Sequence, residues 1–437
     1  MMIPEKRSVL HSWCVQAEWD APQIVGGKGA KFWDDAGRVY LDMSSLAECM
    51  NLGHQHPRII RAIQEQAAKL CFVTSSWGAE PRAALAARLL EVSGFAGGRV
   101  FFTLGGSDAN ENAVKFARQA SGKRSGKIIT RDRSYHGASY AAMALSGDSR
   151  TQDVDPGTFG VVRVPPPYAY RCPHGSDNAE ECAARNVAHI GAEIRRAGAQ
   201  NVAAVLMEPN AGTNGIVAPA SHWPLLRAET AAAGVLLIAD EVMSGFGRCG
   251  EWFARQRHGE SGRPDMMTLA KGLTGAHVPL GAVVLSPQVA DRLEHSMLLT
   301  GLTYCGHPLA CAAGLAAMET YAAEGLIERS RALGRGMFEK LRAMQRTHAV
   351  IGDVRGGDGL FAVVELVKDR GSRAPLSAWP AAHPSMRAFL ARALAQGVSF
   401  AARGNLLILA PPLVIGENEL QDALDLMDSL LGELDWS

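Results

Sequence analysis

Hydrophobic and polar positions along the middle of the chain fall into two alternating textures. Short runs are apolar throughout: Val100–Thr103, Lys127–Thr130 after its first residue, Val202–Met207, Val235–Ala239, Met266–Ala270 and Gly281–Leu285. Runs without a polar face suit strands buried on both sides. Between them lie longer patterns of helical period, Asp108–Ala120 and Leu225–Ala233. Strand and helix in alternation predict an α/β fold around a mainly parallel sheet.

Beyond Cys305 the texture changes. His307–Ala323 is rich in Ala and Leu and predicts a helix, followed by a linking helix near Leu326–Gln345. The last third mixes strands (Leu360–Leu366, Leu406–Leu409) with helices (Pro384–Gln396, Glu417–Leu431), as a smaller α+β domain would. Near the start, Lys31–Leu41 reads as strand–turn–strand around Asp35-Ala36-Gly37. Val164-Pro-Pro-Pro-Tyr168 reads as a stiff loop. A chain of 437 residues exceeds one ordinary core, so two domains are expected.

Composition narrows the class. Lys plus Arg and Asp plus Glu are equal at 44 each, which gives no electrostatic reason to expect nucleic acid or an anionic membrane as partner. The apolar runs are far shorter than the ~20 residues that span a bilayer, and no apolar segment follows the basic start as in a secretory signal. Eight scattered cysteines without a C-x-x-C pair suit reduced thiols and a cytoplasmic location.

Four pieces carry candidate chemistry. In Thr103-Leu-Gly-Gly-Ser-Asp-Ala-Asn-Glu-Asn-Ala-Val-Lys115 a strand ends, two glycines turn the chain and a helix begins near Ser107. Free N–H groups of a first helical turn make an anion site, although a plain capped turn has the same pattern. In Leu237-Ile-Ala-Asp-Glu-Val242 two acids follow a buried strand, at the edge where open α/β sheets bind ligands; an isolated Asp-Glu is more often solvated. Lys271, in Thr268-Leu-Ala-Lys-Gly-Leu273, ends another apolar run. It is either a snorkelling surface charge or, if partly buried, an amine for Schiff-base chemistry. Tyr135-His-Gly137 supplies an aromatic that stacks on a planar ring or simply fills the rim. In this order they meet the needs of pyridoxal phosphate: N–H groups for its phosphate, an anion for its ring nitrogen, an amine for its aldehyde.

With these residues the chain resembles the class III (omega-type) aminotransferases of pyridoxal-phosphate fold type I, from about Trp33 to Leu431. The shared stretches include Asn51-Leu-Gly-His-Gln-His-Pro57, Gly105–Lys115, Tyr135-His-Gly137, Glu208-Pro209, Asp240-Glu-Val-Met-Ser-Gly-Phe-Gly-Arg248, Lys271-Gly272, Thr303-Tyr-Cys-Gly-His-Pro308, Val354-Arg-Gly356 and Pro411-Pro412. The resemblance implies a large domain (56–325) with a mainly parallel seven-stranded sheet. A smaller α+β domain (326–437) would be joined by the N-terminal segment (1–55). It implies that Lys271 is the Schiff-base lysine and proton shuttle, and that Asp240 pairs with the pyridinium nitrogen. Tyr135 and Val242 would flank the ring and Gly106 and Ser107 bind the phosphate. His136 and Glu208 complete the cofactor set, with Glu208 on the hydroxyl side.

The same resemblance matches Thr303 to a threonine that reaches the phosphate of the neighbouring subunit. A homodimer with composite sites is therefore implied, or a tetramer built from it. The reaction implied is transfer of an amino group from an amine or ω-amino acid to a keto acid such as pyruvate, through pyridoxamine phosphate. Val164–Gly175 is similar to the taurine–pyruvate branch. Lyase, racemase or decarboxylase chemistry on the same scaffold is the alternative, and a non-catalytic binding protein a third.

Two places depart from the family pattern. Where many members carry a carboxylate-gripping arginine, the aligned residue is Ala401, with Arg403 two positions on. A two-residue shift in a strand keeps the face and moves the side chain by about 7 Å. Arg403 is thus either a substitute or a surface arginine. Ser44–Met50 lacks the aromatic that often lines the substrate pocket, and Trp77 is a candidate to supply one. His54 with His56, and Cys172 with His174 and Cys182, lack zinc spacing, so no metal is expected.

Overall fold

The computed structural model describes residues 5–151 and 154–436. Its centre is a seven-stranded sheet. The strand order is Arg99–Thr103, Gly281–Leu285, Met266–Leu269, Leu236–Asp240, Val202–Met207, Lys127–Arg131, Val161–Val164. Gly281–Leu285 runs antiparallel to both neighbours, and the other six strands share one direction.

The predicted central strands and helices are present within one to three residues of their expected ends. The seventh strand, Val161–Val164, was not anticipated: the proline run that follows it read as loop from Val164 onward. The helices Pro57–Lys69, Glu80–Ser93 and Ala179–Ala197, and the shorter Tyr140–Leu145 and Pro287–Leu293, also went unread. Glu80–Ser93 has little apolar asymmetry because Ala and Arg are spread around it, so period alone could not find it.

Burial on both faces is literal. Leu236 and Ile238 join the core cluster on one side of the sheet, and Leu237 and Ala239 the cluster on the other. Each fully buried Leu or Ile side chain contributes roughly 1.5–3 kcal/mol. Helix Gly106–Ala120 covers one face, burying Ala109, Ala113, Phe116 and Ala117 against it.

The first and last parts of the chain meet. The strands Ile24–Lys28, Lys31–Asp34 and Val39–Asp42 form a meander, and Val398–Ser399 adds to it in parallel beside Leu41 and Asp42. The turn expected at Asp35-Ala36-Gly37 is there, with Asp34 Oδ1 accepting from the N–H groups of Ala36 and Arg38. A second sheet pairs Ile351–Gly356, Ala362–Asp369, Leu406–Leu409 and Ala401–Arg403.

Arg248 ties these parts to the central sheet. Its buried guanidinium donates to the carbonyls of Leu360 (2.8 Å) and Pro411 (2.6 Å), to Ser45 Oγ (2.8 Å) and to Asn51 Oδ1 (2.8 Å). Arg248→Ala would strand four acceptors and leave a void, costing roughly 3 kcal/mol or more. A urea midpoint equal to that of the wild type would show that this junction does not hold the fold together.

Candidate active site

Every parallel strand delivers its C-terminal end to one edge of the sheet, and chemistry collects there. Asp240 is the last residue of its strand, Glu208 lies one past Val202–Met207, and Lys271 two past Met266–Leu269. Gly106 and Ser107 follow Arg99–Thr103, and Tyr135 and His136 follow Lys127–Arg131. These residues, together with Val242, line one cavity of about 620 Å³. Eight of the sequence-predicted positions are therefore brought together.

Asp240 is buried and heavily oriented. Its Oδ2 accepts from Asn110 Nδ2 (2.8 Å) and from His136 Nδ1 (2.8 Å), and its Oδ1 from the Val242 N–H (3.0 Å). The carboxylate can only accept, so His136 carries its proton on Nδ1. Thr268 Oγ1 donates to Asn110 Oδ1 (2.7 Å), which fixes the amide's orientation. One acceptor position on Oδ1 is left for a further N–H, as a protonated ring nitrogen needs.

An anion is equally well served. Helix Gly106–Ala120 starts at Gly105 without a side-chain cap, so first-turn N–H groups stay open toward the cavity. Ser107 Oγ accepts from the Ala138 N–H (3.1 Å) and keeps its own proton to donate. Gly137 makes that approach possible. Its φ is +127°, and a β-carbon there would lie 2.2 Å from Ser107 Oγ.

Lys271 adopts φ +46°, a strained value for a residue with a side chain. Its Nζ donates to Glu48 Oε2 at 2.9 Å. Burial works to lower the ammonium pKa, but the charge and hydrogen bond of Glu48 outweigh it and the net shift is upward. An ammonium held this way becomes a nucleophile only when the pair opens. Glu208 is buried against Arg131 (3.0 Å); burial nonetheless pushes its carboxyl up. The residues fit pyridoxal phosphate: an oriented carboxylate, an open helix start and a strained lysine share one cavity.

Arg403 lies beside the cavity without lining it. Its Nη2 donates to Asp148 Oδ1 (2.6 Å) and Ser149 Oγ (3.0 Å). Asp148 also accepts from Arg150 (2.9 and 3.1 Å) and Asn214 (3.1 Å). Arg150 in turn lies over the rings of Tyr135 (4.9 Å) and Trp13 (4.4 Å).

Trp77 and Thr303 are not brought to the cavity of their own chain. Trp77 is 69% exposed and Thr303 is exposed on another loop. Arg82 joins these loops, donating to the carbonyls of Gly306 (2.8 Å) and Trp77 (2.7 Å). His54 pairs with Asp42 (3.2 Å) and His56 with Glu324 (3.0 Å).

Sequence reasoning missed Glu48, Asn110, Asp148, Arg150 and Trp13. Asn110 was detectable, one helical turn beyond Gly106 and so on the face that meets the cavity. Glu48 stands in the segment noted for its missing aromatic, but nothing local shows which way its side chain turns.

Fold and cavity together define a pyridoxal-phosphate protein of fold type I. The chain belongs to a particular family of that class, the class III aminotransferases, whose family model (Aminotransferase class-III) matches residues 16–431. A leucine/methionine racemase of Thermococcus litoralis is 34% identical over 94% of this chain and 90% of its own length. A hypotaurine/taurine–pyruvate aminotransferase of Paracoccus denitrificans is 33% identical over 94% and 92%. The crystal structure of a taurine:2-oxoglutarate aminotransferase from Bifidobacterium kashiwanohense, in complex with PLP and glutamate, superposes with a TM-score of 0.92. It is 36% identical, covering 98% of this chain and 96% of that one. The enzyme is a transaminase, and its cofactor is pyridoxal phosphate.

The Asp148 cluster makes a pH prediction. Burial works to raise this carboxyl, but Arg150 and Arg403 overcome it and hold the pKa at about 2, below the ordinary 3.8. A depressed carboxylate stabilises the fold above its ordinary pKa, and that contribution fades as pH falls toward the folded value. Melting temperature should therefore drop between about pH 4 and pH 2 by more in the wild type than in Asp148→Asn. Parallel melting curves in the two proteins would refute it.

Proposed function

We propose that this transaminase moves an amino group from an amine or ω-amino acid to a keto acid such as pyruvate, with Lys271 as the lysine that holds the cofactor. The observation that carries the assignment is the convergence of Lys271, Asp240 and the Gly106-Ser107 helix start on one cavity. Pyridoxal phosphate, when bound, supplies an electron-accepting ring that labilises a bond to the substrate's amine-bearing carbon.

The chain's own residues do the rest. Asp240, oriented by His136 and Asn110, would pair with the ring nitrogen and keep its proton in place. Gly106 and Ser107 would hold the phosphate, Tyr135 and Val242 would bracket the ring, and Glu208 would serve its hydroxyl side. Lys271 would be the amine that holds the cofactor's aldehyde carbon and, when its Nζ is free, the base that carries a proton at the substrate carbon. Arg403 takes the acceptor's carboxylate: it and Arg150 share the single charge of Asp148, so one positive charge stays uncompensated beside Tyr135.

Thr303 and Trp77 serve the site of a second copy in a homodimer, which a tetramer would contain. In support, their two loops, tied together by Arg82, carry the exposed apolar side chains of Trp77, Met297, Leu299 and Tyr304. Sedimentation that finds only monomer would remove this part. The division at 55 and 325, with the N-terminal meander joining the C-terminal part through Val398–Ser399, belongs to the same reading. So does a cytoplasmic location, which suits eight unpaired cysteines and which cell fractionation checks. No helix among the described residues is long and apolar enough to cross a membrane.

A racemase reading is favoured by one observation, Ala401 in place of the usual arginine, and the Thermococcus relative carries that name. Incubation of an amine donor with pyruvate should yield alanine, and Arg403→Ala should raise the KM for pyruvate about 10-fold or more while leaving the donor's KM near its wild-type value. No alanine with any donor, but loss of optical activity from a chiral amino acid, would establish the racemase instead. Asp240→Ala should lower turnover by about 100-fold or more. Near-normal turnover would end the role given to Asp240.

A further inference from the structure

Three carboxylates line the cavity, and two have fixed partners in its wall. Glu208 is held by Arg131, and Asp240 by His136 and Asn110. Glu48 is different. Its carboxylate is 8% exposed, and the single hydrogen bond recorded for it is the one from Lys271 Nζ. If Lys271 is engaged with the cofactor, as proposed above, the carboxylate loses its partner. A buried anion without one is costly, so the site favours a ligand that brings a positive charge.

The backbone holds Glu48 in that position. Ser45, Leu46 and Glu48 all have positive φ (47°, 48° and 53°), and the segment is gripped on both sides by Arg248 through Ser45 and Asn51. Such strain persists only where surrounding contacts dictate it. Gly212 lies beside the carboxylate: a β-carbon there would touch Glu48 Cδ and Oε2 at 3.4 Å and collide with Met243 Cγ at 2.8 Å. Among the described residues no arginine lines the cavity around Glu48; Arg403 lies toward Tyr135, where it shares Asp148 with Arg150.

We propose that Glu48 is a specificity-determining residue that selects donors with a second ammonium group, linear diamines, over neutral amines and over donors ending in a carboxylate. It receives the distal ammonium and repels a carboxylate in the same place. The inference rests on the aminotransferase site proposed above and adds the charge of the donor it prefers.

The test uses holoenzyme and three donors of similar length: butylamine, 1,4-diaminobutane and 4-aminobutanoate. Their far ends are neutral, cationic and anionic. The donor half-reaction is followed by the absorbance of the bound cofactor. Binding of N,N,N′,N′-tetramethyl-1,4-diaminobutane, a dication that cannot transfer an amino group, is measured by calorimetry. In the wild type the diamine should have the highest kcat/KM. Glu48→Gln should lower the diamine-to-butylamine ratio at least about 10-fold, mainly through KM, and weaken the tetramethyl dication by a similar factor. Glu48→Asp, which keeps the charge, should recover part of both. An unchanged ratio and unchanged calorimetric affinity in a Glu48→Gln protein that melts normally would overturn the proposal. So would an equal fall in kcat for all three donors, which would mean that Glu48 manages the proton of Lys271 and not the donor. If no donor changes the wild-type absorbance, the donor class under Proposed function fails, while the calorimetric comparison still decides the role of Glu48.

Discussion

Arg248 lies with its side chain sealed from water, and its charge is met by oxygens from distant stretches of chain: Ser45 and Asn51, Leu360, and Pro411. A buried guanidinium needs that many acceptors, because desolvation penalises every N–H left unpaired. The requirement locks the Ser44–Asn51 segment against the strand ends. That segment carries Glu48 and bends through three positive-φ residues to do so. The shape of the cavity around Glu48 and Lys271 therefore depends on an arginine that lies outside the cavity lining.

The cofactor side is organised by the sheet. Parallel strands bring their C-terminal ends to a common edge, so residues far apart in sequence become neighbours. Asp240 sits opposite Thr268 in the register, and Thr268 holds Asn110, which in turn holds Asp240. The loop orients the carboxylate before any ligand arrives, which is the arrangement catalysis by fixed charges requires. Gly137 contributes by what it lacks, since any β-carbon would collide with Ser107.

Charge is distributed unevenly around the pocket. Acidic side chains line it and the arginine pair on Asp148 lies beside Tyr135. A transaminase must accept an amine and an anionic keto acid in turn at one site, and separating the two signs in space is one physical way to do both. Ala401 fits this division. Its strand position is occupied by a side chain without charge, and Arg403, two residues on, shares the one carboxylate of Asp148 with Arg150.

The sequence by itself determined the class of sheet, the order of most of its strands along the chain, and eight positions that share the cavity at its edge. It could do so because those residues follow apolar runs whose direction and burial are local properties. Lys271 is the clearest case: its place after Met266–Leu269, with Asp240 after the neighbouring strand, already implied a shared edge. Glu80–Ser93, with Ala and Arg spread around it, gave no period to read. Only the tertiary structure decided which side chain meets Lys271. Glu48 is 223 residues away, and its direction is set by positive-φ turns and by Arg248, none of which leaves a mark in the local pattern. The same holds for Arg403, whose partner Asp148 is 255 residues distant. Local pattern encodes what a segment buries; long-range packing alone decides which charges are left facing one another.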